Sequence, residues 1–126
     1  MRWRSGIAMP PSLWSADGAW LYFSSTANDV AGMNGIFRVR AEGGTPLPVS
    51  NDRYTNEYGA APAPDGAALA FSARDFGTSQ WWRNGRSHLD ESEIWIKRGD
   101  AYEQIAPRGA RQFWAMWSGD GSRLFY

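Results

Sequence analysis

The chain contains no cysteine, which excludes disulfides and thiolate metal sites and leaves the redox compartment open, because cytosolic and exported proteins alike can lack it. His88 is the single histidine, so any acid–base or metal scheme would have to run through one imidazole. Lysine is almost absent, Lys97 being the one lysine among 13 basic residues. These balance 13 acidic residues, and a formal charge of zero gives no generic attraction to nucleic acid or to an anionic membrane. No apolar run reaches the length that spans a bilayer, so membrane insertion is not expected. After Met1-Arg2-Trp3-Arg4, the run from Ser5 to Pro11 is too short for a signal-peptide core. The compartment is left open between cytoplasm and periplasm.

What is present favours strands and turns: 15% aromatic residues, 14 Gly and 7 Pro, with little helical periodicity. One phrase occurs three times, as WSADGAWLYF from Trp14 to Phe23, PAPDGAALAF from Pro62 to Phe71, and WSGDGSRLFY from Trp117 to Tyr126. Asp17, Asp65 and Asp120 are 48 and 55 residues apart, about the length of one four-stranded propeller blade. In each copy a strand runs into an Asp-Gly pair, where Asp can bond the turn backbone and Gly accepts positive φ, and a second strand follows. Period-two alternation puts Leu21 with Phe23, Leu69 with Phe71, and Leu124 with Tyr126 on one buried face.

A third strand is expected over Gly35–Val39 and again over Glu93–Lys97, turning at Gly43-Gly44 and Gly99-Asp100. A fourth closes each unit, over Thr45–Ser50 and Tyr102–Ala106, with Pro46 and Pro48 suited to an edge strand. The fold class is therefore all-β, a partial β-propeller of about two four-stranded antiparallel blades plus the start of a third. Residues 1–126 form a fragment of one propeller domain, with blade 1 at about 7–50, blade 2 at about 57–106 and the start of blade 3 at about 112–126. The third copy stops at Tyr126, so a longer parent chain is expected. Uncapped end repeats should leave apolar faces exposed, including Leu21, Phe23, Leu69 and Phe71. Trp14, Trp95, Trp114 and Trp117, at strand positions, are expected in the core.

The order Trp-Ser-x-Asp-Gly, apolar strand, Ile36-Phe37-Arg38-Val39, Ala41-Glu42-Gly43-Gly44-Thr45-Pro46, apolar strand resembles the WD-repeat-like blade of TolB-like propellers, found also in the propeller domains of tricorn-type serine proteases. The resemblance covers nearly the whole chain, and Pro62-Ala63 in place of Trp-Ser is its main departure. The insertion from Arg74 to Ser92, with Gln80-Trp81-Trp82-Arg83-Asn84-Gly85, is similar to blade insertions in tricorn-like proteases. The resemblance implies a non-catalytic propeller segment that binds peptide or protein and gates substrate toward a serine protease site elsewhere on the polypeptide. The alternative is a TolB-like interaction module without hydrolase activity; a propeller of a prolyl-oligopeptidase-type or amidohydrolase-type enzyme is a third reading.

In a meander, connections between second and third strands emerge on the same side as connections between units. That side gathers Asn56 and the candidate binding residues: Arg53 and Tyr54, then Trp81, Trp82, Arg83, Arg86 and His88 of the insertion, then Arg108 and Arg111. Trp and Arg dominate interface hot spots, and loops on a rigid scaffold commonly carry binding. Trp81 and Trp82 could equally form a lid packed on their own blade. His88 beside Asp90 and Glu91, with Ser79 or Ser87, does not make a triad, there is no Gly-x-Ser-x-Gly elbow, and no catalytic residue is assigned. One His without Cys falls short of a zinc site, and Asp90, Glu91 and Glu93 fit no EF-hand loop, so no metal or cofactor is expected. The expected partners are a peptide or protein, the remaining blades and a possible protease domain of the parent chain, and no nucleic acid.

Overall fold

The computed structural model describes residues 13–28, 33–50, 55–75, 92–105, 112 and 114–126. Among them there is no helix. The strands are β1 (Leu13–Trp14), β2 (Trp20–Ser25), β3 (Gly35–Arg40), β4 (Leu47–Ser50), β5 (Thr55–Pro62), β6 (Leu69–Asp75), β7 (Glu93–Arg98), β8 (Ala101–Gln104), β9 (Met116–Trp117) and β10 (Leu124–Phe125). They form two four-stranded sheets, β1-β2-β3-β4 and β5-β6-β7-β8, and a ribbon of β9 with β10. Every neighbouring pair is antiparallel and consecutive in the chain.

The repeated phrase folds the same way three times. Trp14 pairs with Leu21, Pro62 with Leu69 and Trp117 with Leu124. Gly18, Gly66 and Gly121 hold φ of 69°, 72° and 71°, the left-handed conformation that a side chain disfavours. The preceding aspartates fix the turns from outside: Asp17, Asp65 and Asp120 each accept an amide from two residues on, at 3.0, 2.9 and 3.0 Å. Pro48 sits in edge strand β4, where the register shifts between Ile36 and Phe37, as the lost amide requires.

Two apolar layers hold the units together. Between the sheets lie Ile36, Ala60, Leu69, Phe71 and Ala73, with Tyr22, Val49 and Trp95 packed on them. Between the second sheet and the ribbon lie Ala61, Ala63, Ala68, Ala70, Ile94, Ile96 and Ala115, joined by Ile105, Trp117 and Leu124. The second sheet is thus covered on both faces.

This corrects two expectations. Leu69 and Phe71 are not exposed; Phe71 is 2% accessible because the first sheet covers it. Leu21 and Phe23 are half-buried, and Phe23 stacks on Phe37 with ring centroids 6.0 Å apart. Trp14 and Trp114 are not core residues either, at 55% and 50% exposed. Trp14 shares the face of Leu21, opposite the one that meets the second sheet. Trp114 lies before β9 with φ of 64°, which turns its ring out of strand alternation. Trp117 packs on the second apolar layer, Trp95 on the first.

Candidate binding surface

Antiparallel order gives the two ends of each sheet different chemistry. At one end are the tight turns 15–19, 41–46, 63–68, 99–100 and 118–123. At the other, connections leave from Ser25, Ser50, Asp75 and Gln104 and return at Gly35, Thr55, Glu93 and β9; the one from Ser50 to Thr55 is as short as a turn, and the other three are longer. Arg53, Tyr54, Trp81, Trp82, Arg83, Arg86, His88, Arg108 and Arg111 all belong to the connections at that end and lie outside the described residues. The strand ends that flank them are described.

Those ends are tied together by polar side chains. Asn34 donates from its backbone N and from Nδ2 to Asn56 Oδ1, at 2.9 and 2.8 Å. The amide of Glu57 donates to the carbonyl of Asn34 at 2.8 Å. Ser50 Oγ donates to Glu57 Oε1 at 2.7 Å and lies 3.3 Å from the Tyr102 hydroxyl. These contacts join the end of the first sheet to the first and last strands of the second. Further along, the Tyr58 hydroxyl donates to Ser92 Oγ at 2.7 Å, and the Gln112 amide reaches the Ser92 carbonyl at 3.4 Å. Ser50, Glu57 and Ser92 are buried, Glu57 to 2% exposure. A net hydrogen bond stabilises by about 1 kcal/mol, and by more when one partner is a carboxylate. The layer therefore fixes how the loop-bearing ends sit relative to one another.

Inner strand β5 carries a bulge. Its register with β6 shifts between Tyr58 and Ala61, and Gly59 adopts φ of 65° there. A Cβ on Gly59 would stand 3.4 Å from Cε3 of Trp114, so the indole lies directly over the bulge. Ser72, fully buried beneath, has no hydrogen-bond partner for Oγ. A non-glycine residue at positive φ costs about 1 kcal/mol or more and persists where packing enforces it.

At the turn end, Asp120 accepts from the hydroxyls of Ser118 and Ser122 as well as the Ser122 amide. The Ser118 hydroxyl first, then the Ser122 groups, lower its carboxyl to about 2. The Ser15 hydroxyl and the Ala19 amide lower Asp17 in the same direction. Both carboxylates are exposed and serve their turns. Among the described residues no three His, Asp or Glu side chains gather to hold a metal, and no helix is long and apolar enough to cross a membrane.

Sequence reasoning located the end that carries long connections, and placed Asn56 there, but missed the other residues that join it: Asn34, Ser50, Glu57, Tyr58, Ser92 and Trp114. The one signal for any of them is Gly59 inside a strand pattern, which marks a bulge.

No protein-family model matches the sequence, and no curated protein matches it. Among solved structures the chain is similar to that of a TolB candidate from Agrobacterium tumefaciens, with 22% sequence identity and a TM-score of 0.62 over 91% of this chain. The match spans 42% of that structure's length. At that identity the likeness concerns fold alone. With the sheet order above, it makes this chain a partial β-propeller of two four-stranded blades and a short third sheet.

Proposed function

We propose that this chain is a non-catalytic interaction segment of a propeller, which receives a peptide or protein on its loop-bearing end. The observation that carries the reading is the asymmetry between the ends. One consists of short turns, whereas the other launches the Trp- and Arg-rich connections from strand ends locked by the Asn34–Asn56 and Ser50–Glu57 bonds. A rigid base under long loops limits the ordering cost when a partner binds. The TolB-like fold agrees with such a role and by itself assigns no partner.

The test is a peptide selection on the full chain, followed by affinity measurements on the selected peptide. Trp81→Ala with Trp82→Ala, or Arg53→Ala with Tyr54→Ala, is expected to weaken binding by about tenfold or more, as truncation of anchoring aromatics does. Arg123→Ala at the turn end should leave it unchanged. Equal binding by all of these variants would overturn the reading. The narrower reading, in which the segment gates peptides toward a serine protease site elsewhere on the same polypeptide, rests on the tricorn-like look of the 74–92 insertion. Labelling of the native polypeptide by a fluorophosphonate would favour it, and absence of labelling would favour the plain interaction module.

A further inference from the structure

A second cluster, at the opposite end of the sheets, has chemistry of its own. Trp20 lies on β2 and pairs with Arg40, and the next pair along is Tyr22 with Arg38. By alternation Trp20, Arg38 and Arg40 share the face of Tyr22 and Ile36, which meets the second sheet. Both guanidiniums converge on one indole, with Arg38 Cζ 4.2 Å and Arg40 Cζ 4.8 Å from the Trp20 ring centroid. Leu47, opposite Arg38, is exposed on the same face.

The facing side of the second sheet repeats the pattern. Lys97 pairs with Leu69 and with Tyr102, and its Nζ stands 4.6 Å from the Tyr102 ring centroid. Tyr102 sits edge-on to Phe71, reaches Ser50 of the first sheet and still exposes half its surface. Each sheet thus carries a cation–ring cluster on the face toward the other, Trp20 with Arg38 and Arg40 on the first and Tyr102 with Lys97 on the second.

Neither guanidinium makes an ion pair with a carboxylate among the described residues. Lys97 Nζ donates to the Gly99 carbonyl, a neutral partner. Of the acids in the flanking turns, Asp17 is engaged by Ser15 and Ala19, and Glu42 is exposed. Stacking occupies the face of a guanidinium and leaves its N–H edge for a planar anion, which it binds in bidentate fashion. Two like charges over one ring repel, and a carboxylate between them relieves that.

We infer that the cluster on the first sheet is a second binding site, for an acidic peptide segment whose carboxylates engage Arg38 and Arg40 while an apolar side chain rests on Leu47. The mixture of cations with exposed apolar surface suits alternating acidic and apolar side chains. A phosphate backbone calls for a longer basic stripe than two cations provide.

The test uses the full chain and a fluorescein-labelled Glu-Leu-Glu-Glu-Leu-Glu peptide, with a single-stranded oligonucleotide of equal charge and inorganic phosphate as parallel probes. Anisotropy at about 50 mM salt should show peptide binding that weakens several-fold at about 300 mM. Arg38→Gln with Arg40→Gln should weaken it by about tenfold or more, the loss expected for a charge-assisted hydrogen bond. Arg38→Lys with Arg40→Lys keeps the charge but not the fork, and about fivefold should be lost. Arg98→Gln, Arg123→Gln and the Trp81/Trp82 double variant should bind as the wild type does, so this site and the loop-end site fail separately. Circular dichroism of each variant establishes that it is folded. Absence of peptide binding, full affinity in both arginine double variants, or tighter binding of the oligonucleotide or of phosphate would each overturn the proposal.

Discussion

Strands β2 and β6 carry the same repeat, with Leu21 and Phe23 in one and Leu69 and Phe71 in the other. Leu69 and Phe71 are buried between sheets, while their counterparts are half-buried. The tryptophans show the same contrast across blades. Trp117 packs beside Leu124 and donates from Nε1 to the Ala61 carbonyl at 2.9 Å, whereas Trp14, in the same register position, is mostly exposed. An identical local pattern therefore gives different burial according to which neighbouring sheet stands in front of it. In a stacked architecture, stability belongs to the interfaces as much as to the units.

The sharpest way to probe that contrast is to truncate one side chain in each setting. Ile94 is fully buried in the layer that joins the second sheet to the ribbon. Ile94→Ala is expected to lower stability by about 3 kcal/mol, the usual cost of a cavity in a core that cannot collapse. Leu21→Ala, on the half-covered face, should cost roughly 1 kcal/mol. Urea denaturation of both variants checks the difference, and equal losses would mean that the first sheet's outer face is as well packed as the second sheet's faces.

The repeat-equivalent tryptophans make a finer comparison. Trp117→Phe removes the indole donor and leaves the Ala61 carbonyl facing an apolar layer, so about 1–2 kcal/mol should be lost. Trp14→Phe should stay within about 0.5 kcal/mol, as exposed substitutions do. The same denaturation measurement decides it. A loss at Trp14 as large as at Trp117 would show that something covers the Trp14 face in solution.

These pairs also mark what the sequence could reveal. The strand order, the Asp-Gly corners and the glycine turns were legible because each is local: Asp65 acts on Ala67, and Gly66 takes its φ from its own backbone. Which face is covered was not, because period two names residues that share a face and says nothing of what lies opposite. Trp14 was expected to be buried for that reason; Leu69 lies on the buried face that alternation indicated, and its expected exposure assumed that no neighbouring sheet would cover it. The polar layer at the loop-bearing end was equally hidden, since the bonds from Asn34 to Asn56 and from Ser50 to Tyr102 join residues of different units. Trp114 escaped for another reason: its positive φ and its seat over Gly59 arise from a bulge and a connection, not from a periodic pattern.

The smallest expected effect separates the three corners themselves. Asp120 has hydroxyl donors on both sides, Ser118 and Ser122, while Asp17 has Ser15 and, in place of the second hydroxyl, Ala19. Ala63 removes the first hydroxyl from the middle copy, where the Ala67 amide is the donor to Asp65. Hydrogen bonds to a carboxylate favour its charged form, so Asp120, lowered from 3.8 to about 2, is more readily ionised when folded than when unfolded. Its contribution to stability is present above pH 3.8 and is lost as pH falls from there through about 2. Because the group is exposed, solvent screens the contribution, and the readout is best taken at the carboxyl carbon by NMR titration. Ser122→Ala should raise the Asp120 midpoint toward that of Asp17, and Ser118→Ala should raise it further, since the Ser118 hydroxyl is the larger cause. A midpoint that does not move in either variant would show that the turn backbone alone holds the charge, making the serines of the first and third copies interchangeable with the alanine of the second.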